Sequence, residues 1–329
     1  MDALPSLFTA TDPGTPLHEP VEPDRPGSLR LAALLLAATV LTTLVAGFLF
    51  DAGFQAGSGD GEITVADPVQ NPLTLLHGLP FSLALLAILL AHEMGHYLAC
   101  RFYRIRCTLP YVIPTPPFLP IPGLGVLPLN PFGTFGAVIR IRSPFLSCRQ
   151  IFDVGIAGPL AGFLVIVPVL ALGVSLSTDF QWPEEESGLL QFGEPLLFKL
   201  AVWSFFDGDP SAINLHPIGW AAWFGLLATS LNLLPFGQLD GGHVLYALFG
   251  ERRHRRVSTV LLVLLIVISL LSLPTPGYLF FALILMFLGP RHPRPAEQEG
   301  LDRKRWWIGL LGMVVFVLCF IPVPVTLVE

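Results

Sequence analysis

The chain has 329 residues, 53% of them hydrophobic and only 13% charged, with a formal net charge of −6. A soluble domain carries about twice that charged fraction, so an ordinary water-soluble globule is excluded in favour of a membrane protein. No basic patch interleaved with aromatics points to nucleic acid, and Cys100, Cys107, Cys148 and Cys319 lack the spacing of a disulfide scaffold and read as reduced packing residues.

Residues 1–28 are rich in proline and acidic side chains, with Arg25 their only basic residue. Neither a secretory signal, which opens on positive charge, nor an Arg-rich transit peptide fits. The expectation is a disordered cytoplasmic tail leading into a first span that serves as an uncleaved signal anchor. Apolar stretches lie at about 30–50, 73–100, 151–174, 214–236, 257–273, 275–290 and 306–321. A crossing needs roughly 20 residues, with about 17 tolerated. The fifth and sixth, parted only by Leu273-Pro274-Thr275-Pro276-Gly277, are two thin spans or one re-entrant hairpin. The predicted fold is an all-α polytopic membrane protein of about six to seven transmembrane helices, with a small interfacial Pro-rich β hairpin region between the second and third.

Charge asymmetry orients these spans in the lipid bilayer. Residues 51–71 hold Asp51, Asp60, Glu62 and Asp67 with no Lys or Arg, and the acidic segment 175–213 has only Lys199. Arg101, Arg104 and Arg106 follow the second span, Arg140, Arg142 and Arg149 precede the third, and Arg252, Arg253, Arg255 and Arg256 precede the fifth. A fourth basic cluster, Arg291 to Arg305, lies before the last. Lys and Arg favour the cytoplasmic side, so all four clusters and the N-terminus are expected there. The chain divides into the tail (1–28), the first helix with an acidic external loop (29–71), a membrane core (72–250) and C-terminal transmembrane helices (251–329).

The uncharged run Phe81 to Leu90 passes directly into Ala91-His92-Glu93-Met94-Gly95-His96. On a helix, residues four apart share a face, so both imidazoles can reach one ion. Glu93 is then placed to hold a water on that ion, as in zinc hydrolases. A charge at a helix centre in the membrane costs about 2.5–3.5 kcal/mol, so ionisable groups there mark function. Catalytic zinc takes three protein ligands plus water. The stretch Ser230-Leu-Asn-Leu-Leu-Pro-Phe-Gly-Gln-Leu-Asp-Gly-Gly-His243 offers the third in Asp240, after a helix broken by Pro235 and Gly237, at the same membrane face. Asp240 also suits the cap of a short helix from Gly241 to Phe249; beside the His pair, ligation is the preferred reading. His243 stays outside the set, which Asp240 completes.

The two motifs, HExxH in one span and Asn232-x-x-Pro235-x-x-x-x-Asp240-Gly241 in a later one, together resemble the site-2 protease family of intramembrane zinc metalloproteases. The resemblance covers about residues 72–250 and includes Gly155-x-Ala-Gly-Pro-Leu-Ala-Gly162, similar to the family's small-residue packing helix. Gly133-Thr-Phe-Gly-Ala137 and Leu-Asp-Gly-Gly are similar to the branch containing chloroplast gravitropism-related members and bacterial relatives. The resemblance implies one zinc ion on His92, His96 and Asp240, with Glu93 as catalytic base and Asn232 assisting the substrate carbonyl or oxyanion. It also implies a single-span transmembrane protein as substrate, cut near the cytoplasmic face. No hydrophilic stretch is long enough for the PDZ or CBS domain that many members carry.

Peptide bonds within a helix are already paired, so such a substrate has to unwind. Between residues 105 and 145, eight prolines from Pro110 to Pro131 exclude a continuous helix. Ala137 to Arg142 then alternates, with Ala137, Ile139 and Ile141 on one side and Arg140 and Arg142 on the other, which predicts a strand. Its free edge could pair with unwound substrate, or the strand could simply be anchored by arginines at the headgroups. Gly158 and Gly162 are expected to pack against the His-bearing helix. Two rival classes remain. A transporter also lines its path with His and Asp, but no duplicated half accompanies the single HExxH and DGG. A catalytically silent metal-stabilised scaffold or chaperone has no need of Glu93. In the absence of a transit peptide, the membrane is read as a bacterial plasma membrane.

Overall fold

The computed structural model describes residues 26–58, 68, 70–121, 125–179, 190–206, 213–271, 282–283, 285–287, 289, 292–297, 299–321 and 325–327. Within these, α1 runs Pro26–Gly57, and a 3₁₀ turn (Pro72–Gly78) leads into α2 (Leu79–Phe102). The turn begins where Asn71 accepts the Leu73 N–H, and Pro80 sits in the first turn of α2, where its missing N–H costs nothing. Helix α3 (Cys148–Ser175) opens on a Ser147 cap and contains Pro159 and Pro168. These three are long and apolar enough to cross a membrane and coincide with the first three expected spans.

The later spans depart from expectation in length. Helix α4 (Leu196–Phe205) is an apolar helix of 10 residues inside the acidic segment 175–213. Its run was too short to register as a span. Helix α5 (Pro217–Asn232) has 16 residues, and α7 (Arg303–Cys319) has 17. Between them α6 (Asp240–Leu271) is broken at Gly250, where φ is 78°. Its first limb matches the short helix expected to follow Asp240, and its second carries the fifth apolar stretch. The Pro-Gly junction near 275 and the tail 1–25 lie outside the described residues. What stands is a mostly helical membrane protein with three candidate spanning helices among the described residues.

Between α2 and α3 the chain forms two nested hairpins, in the place expected. Strands β1 (Tyr111–Pro114) and β4 (Thr134–Val138) pair antiparallel around an inner pair, β2 (Phe118–Ile121) and β3 (Gly125–Pro128). Pairing resumes beyond β4, where the Thr108 N–H donates to Arg140 C=O at 3.0 Å and the Arg142 N–H to Arg106 C=O at 2.7 Å. Ala137, Ile139 and Ile141 are half-buried, while Val138, Arg140 and Arg142 are exposed, the alternation read from sequence. The outer edge of β1 is covered by α1, since Thr39 Oγ1 donates to Val112 C=O at 3.2 Å and Thr42 Oγ1 to Gly133 C=O at 2.7 Å.

The core lies where α2, α3 and α5 meet, with Phe81, Leu85 and Ile88 against Ile151, Ile166, Trp223 and Leu226. Helix α7 is tied to the same bundle by Arg305, which donates to both carboxylate oxygens of Asp153 at 2.8 and 2.5 Å and to Tyr103 OH at 3.2 Å. All four cysteines are buried and outside any disulfide, in keeping with packing roles. Helices α3 and α5 cross with their backbones touching, because a Cβ on Gly173 would stand 2.3 Å from Gly219 N. Gly173→Val is therefore expected to cost about 1–3 kcal/mol, the usual penalty of overpacking. The check is the thermal midpoint in detergent, which should fall by several degrees.

Candidate metal centre

His92 and His96 lie one turn apart in the second half of α2, and both are buried with Glu93 at 7% exposure each. Their Nε2 atoms stand 3.1 Å apart. Asp240 comes from 144 positions further along, at the first residue of α6. Its Oδ2 lies 3.2 Å from His92 Nε2 and 3.3 Å from His96 Nε2. Ligands at about 2.0–2.1 Å around a tetrahedral ion stand about 3.3 Å from one another, so the three donors fit the edges of a zinc site. Among the described residues no other group of three His, Cys, Asp or Glu side chains converges in this way.

The route to Asp240 is a tight reversal after α5. The Leu233 N–H closes the helix onto Thr229 C=O at 3.0 Å, Pro235 stops it, and Gly237 turns at φ +52°. Helix α6 then starts against that turn with no room for side chains. A Cβ on Gly241 would stand 1.9 Å from Leu233 O, and one on Gly242 would stand 2.5 Å from Gly237 O. The Asp-Gly-Gly triplet is thus one carboxylate followed by two positions where only hydrogen fits.

Helix α3 shapes the other wall. His96 Nδ1 lies 2.7 Å from the Val154 carbonyl, which can only accept. The ring proton therefore sits on Nδ1, and Nε2 keeps its lone pair toward the metal position. Pro159 lacks the N–H that would otherwise bond the Gly155 carbonyl, one residue after Val154. A Cβ on Gly158 would be 2.1 Å from His96 Nε2, and one on Gly162 would be 3.2 Å from His92 Cβ. The two glycines expected to pack against α2 pack on the imidazoles themselves.

Two further groups flank the donors. Asn232 Nδ2 is 3.3 Å from His92 Nε2, so the last residue of α5 reaches the site. The Ile139 N–H donates to the Glu93 carboxylate. Since Arg140 and Arg142 turn their main-chain groups toward residues 106–108, those of Ala137, Ile139 and Ile141 point to the opposite edge. The free edge of this strand therefore faces Glu93. Sequence reading assembled His92, Glu93, His96, Asn232 and Asp240 but missed Val154 and Ile139, whose contributions are backbone groups with no side-chain signature. His243 lies outside the donor set, as expected, and bonds instead to His292.

Comparison with known proteins agrees with this geometry. Residues 80–273 match Peptidase family M50. The chain is 28% identical over 255 residues to the probable zinc metalloprotease EGY1, chloroplastic, of Arabidopsis thaliana, covering 74% of this chain and 43% of that protein. It is 31% identical over 181 residues to its namesake from Oryza sativa subsp. japonica, covering 53% and 28% respectively. It is 28% identical over 266 residues to the probable zinc metalloprotease EGY2, chloroplastic, of Arabidopsis thaliana, covering 78% and 44%. The chain spans less than half the length of these relatives. The donor chemistry and the relatives agree on zinc as the metal.

The glycine wall yields a direct test. Gly158→Ala is expected to displace the His96 ring and lower zinc content, read by elemental analysis, at least tenfold. Gly53→Ala, where nothing lies within 4 Å, should leave zinc content unchanged.

Proposed function

The chain belongs to Peptidase family M50, and from that premise we propose that it is an intramembrane zinc metalloprotease that hydrolyses peptide bonds of single-span membrane proteins near the cytoplasmic face. The observation that carries this reading is the convergence of His92, His96 and Asp240 beside Glu93 inside an apolar bundle. In this reading the three converged side chains are the zinc ligands, Glu93 is the general base and Asn232 assists the scissile carbonyl. His96 is six residues from the end of α2, about 9 Å along the axis, which supports cleavage close to one membrane face. The arginine clusters support that face being cytoplasmic, and the apolar stretches support a count of six to seven spans. The relatives are chloroplastic, so they lend the expected bacterial plasma membrane no support. The localisation proposed is accordingly a multi-pass membrane protein without a named compartment.

Bound zinc supplies Lewis acidity, which acidifies a water and polarises a carbonyl. Glu93 takes the proton of the attacking water and returns it to the leaving amine. Its hydrogen bond from the Ile139 N–H keeps the carboxylate turned toward the strand edge while it does so. Asn232 Nδ2, a donor next to His92, is positioned to hydrogen-bond the oxygen on which negative charge develops. His96, fixed by the Val154 carbonyl, needs no reorientation during turnover. The free edge from Ala137 to Ile141 offers unwound substrate main-chain partners next to Glu93, and the bundle keeps bulk water from the remaining polar groups.

Two experiments test the reading. Glu93→Gln is expected to keep zinc and lose about 10²–10⁴-fold in cleavage of a panel of single-span substrates, the usual size of a general-base contribution. A scaffold would keep its function in that variant. Ile139→Pro would remove the bond to Glu93 as well as the edge donor, so Ala137→Pro is the cleaner probe of substrate pairing. Cleavage by Ala137→Pro is expected to fall about tenfold or more at unchanged zinc content, and unchanged cleavage would remove the edge from the account.

A further inference from the structure

The zinc-ligand reading requires Asp240 to hold a fixed place at a helix N-terminus, the part of a helix most prone to fray. Nothing in the His-Glu-Met-Gly-His helix grips the Asp240 backbone. The grip comes from elsewhere. On the side before Asp240, the Gly237 carbonyl lies 3.0 Å from His254 Nε2, and the Gly237 N–H donates to Ser258 Oγ at 3.3 Å. The second limb of α6 thereby folds back to hold the turn that delivers the carboxylate. On the side after it, His243, one helical turn along, lies with its Nδ1 2.6 Å from His292 Nε2.

His292 is built in rather than passing by. Its ring is 8% exposed, stacks on Tyr246 at 4.2 Å between centroids, and meets His254 edge-on at 5.6 Å. Its Nδ1 lies 2.6 Å from the Pro293 carbonyl. That carbonyl can only accept, so a neutral His292 carries its proton on Nδ1 and offers Nε2 as an acceptor. His243 must then donate from Nδ1, and the direction of the bond is set. The segment carrying His292 is itself fastened. Arg294 Nε lies 2.7 Å from Glu251 Oε2, and the Glu297 N–H donates to Leu146 C=O at 2.8 Å. Across the helix from His292, Gly155 lies against His243, where an added Cβ would stand 2.7 Å from His243 Cβ and 3.3 Å from Asp240 O. Helix α3 and the segment around 292 therefore grip the first turn of α6 between them.

We infer that His292 is a positioning residue for the zinc site, acting through His243 to hold the Asp240 turn in register with His92 and His96. It lies outside residues 80–273, so the part of the chain that matches the family does not contain it. The inference rests on the zinc reading above, and the test separates the two. Zinc affinity is measured by competition with a chromophoric chelator on the full-length protein in detergent. His292→Phe keeps a ring against Tyr246 but strands the His243 donor, and His292→Gln keeps an acceptor at the Nε2 position. The expected result is zinc binding about tenfold weaker in His292→Phe, the low end for groups that orient ligands from behind, and near wild type in His292→Gln. In a His243→Phe background, His292→Phe should cost nothing further. Equal affinities for the Phe variant and wild type overturn the inference. If the Phe variant does not fold, His292→Asn, too short to reach His243, takes its place, and equal affinities for Asn and Gln overturn it likewise. A wild-type protein that takes up no zinc overturns the metal reading itself, and this inference with it.

Discussion

Everything in this molecule depends on placing two imidazoles and a carboxylate together where there is almost no water. In an apolar bundle each polar atom needs a partner supplied by the fold, because an unpaired one costs several kcal/mol. The Val154 carbonyl meets that need for His96, and in doing so decides which nitrogen faces the metal. The close approach of α2 and α3 makes that bond possible, and Gly158 and Gly162 make the approach possible. Zinc chemistry thus rests on a helix contact whose sequence record is two missing side chains.

The same economy governs the third donor. Asp240 arrives through a reversal so tight that Gly241 and Gly242 touch the backbone of the preceding turn. That reversal would be unstable as free chain in a membrane, since Pro235 and the turn leave backbone groups without helical partners. His254 and Ser258 engage some of them, and the segment around His292 fastens the helix that follows. Loop, helix start and C-terminal segment form one support under a single carboxylate. The hairpin strand supplies the opposite wall, with its free edge turned to Glu93 and its other edge closed by α1 through β1.

Much of this was legible in the residues. The spacing of His92 and His96 implies one face of one helix, and the alternation from Ala137 to Arg142 gives both the strand and which side chains turn inward. The Leu-Asp-Gly-Gly phrase, beside the His pair, brings Asp240 into the same site. What stayed hidden has physical reasons. The Val154 carbonyl and the Ile139 N–H are backbone groups that every residue possesses, so no residue type advertises them. The break at Gly250 is one glycine among 31, and the 10-residue helix α4 is shorter than any span, so neither stood out from hydropathy. His292 was hidden because its partner lies 49 residues away, and no periodicity links the two.

The most direct test of the account is X-ray absorption at the zinc edge on the purified full-length protein. The predicted spectrum has two imidazole ligands and oxygen donors at about 2.0–2.1 Å. An imidazole contribution should be lost when His92 or His96 is replaced. Sulfur scattering at about 2.3 Å would move the metal to the buried cysteines and contradict the centre described here, as would a protein that holds no zinc.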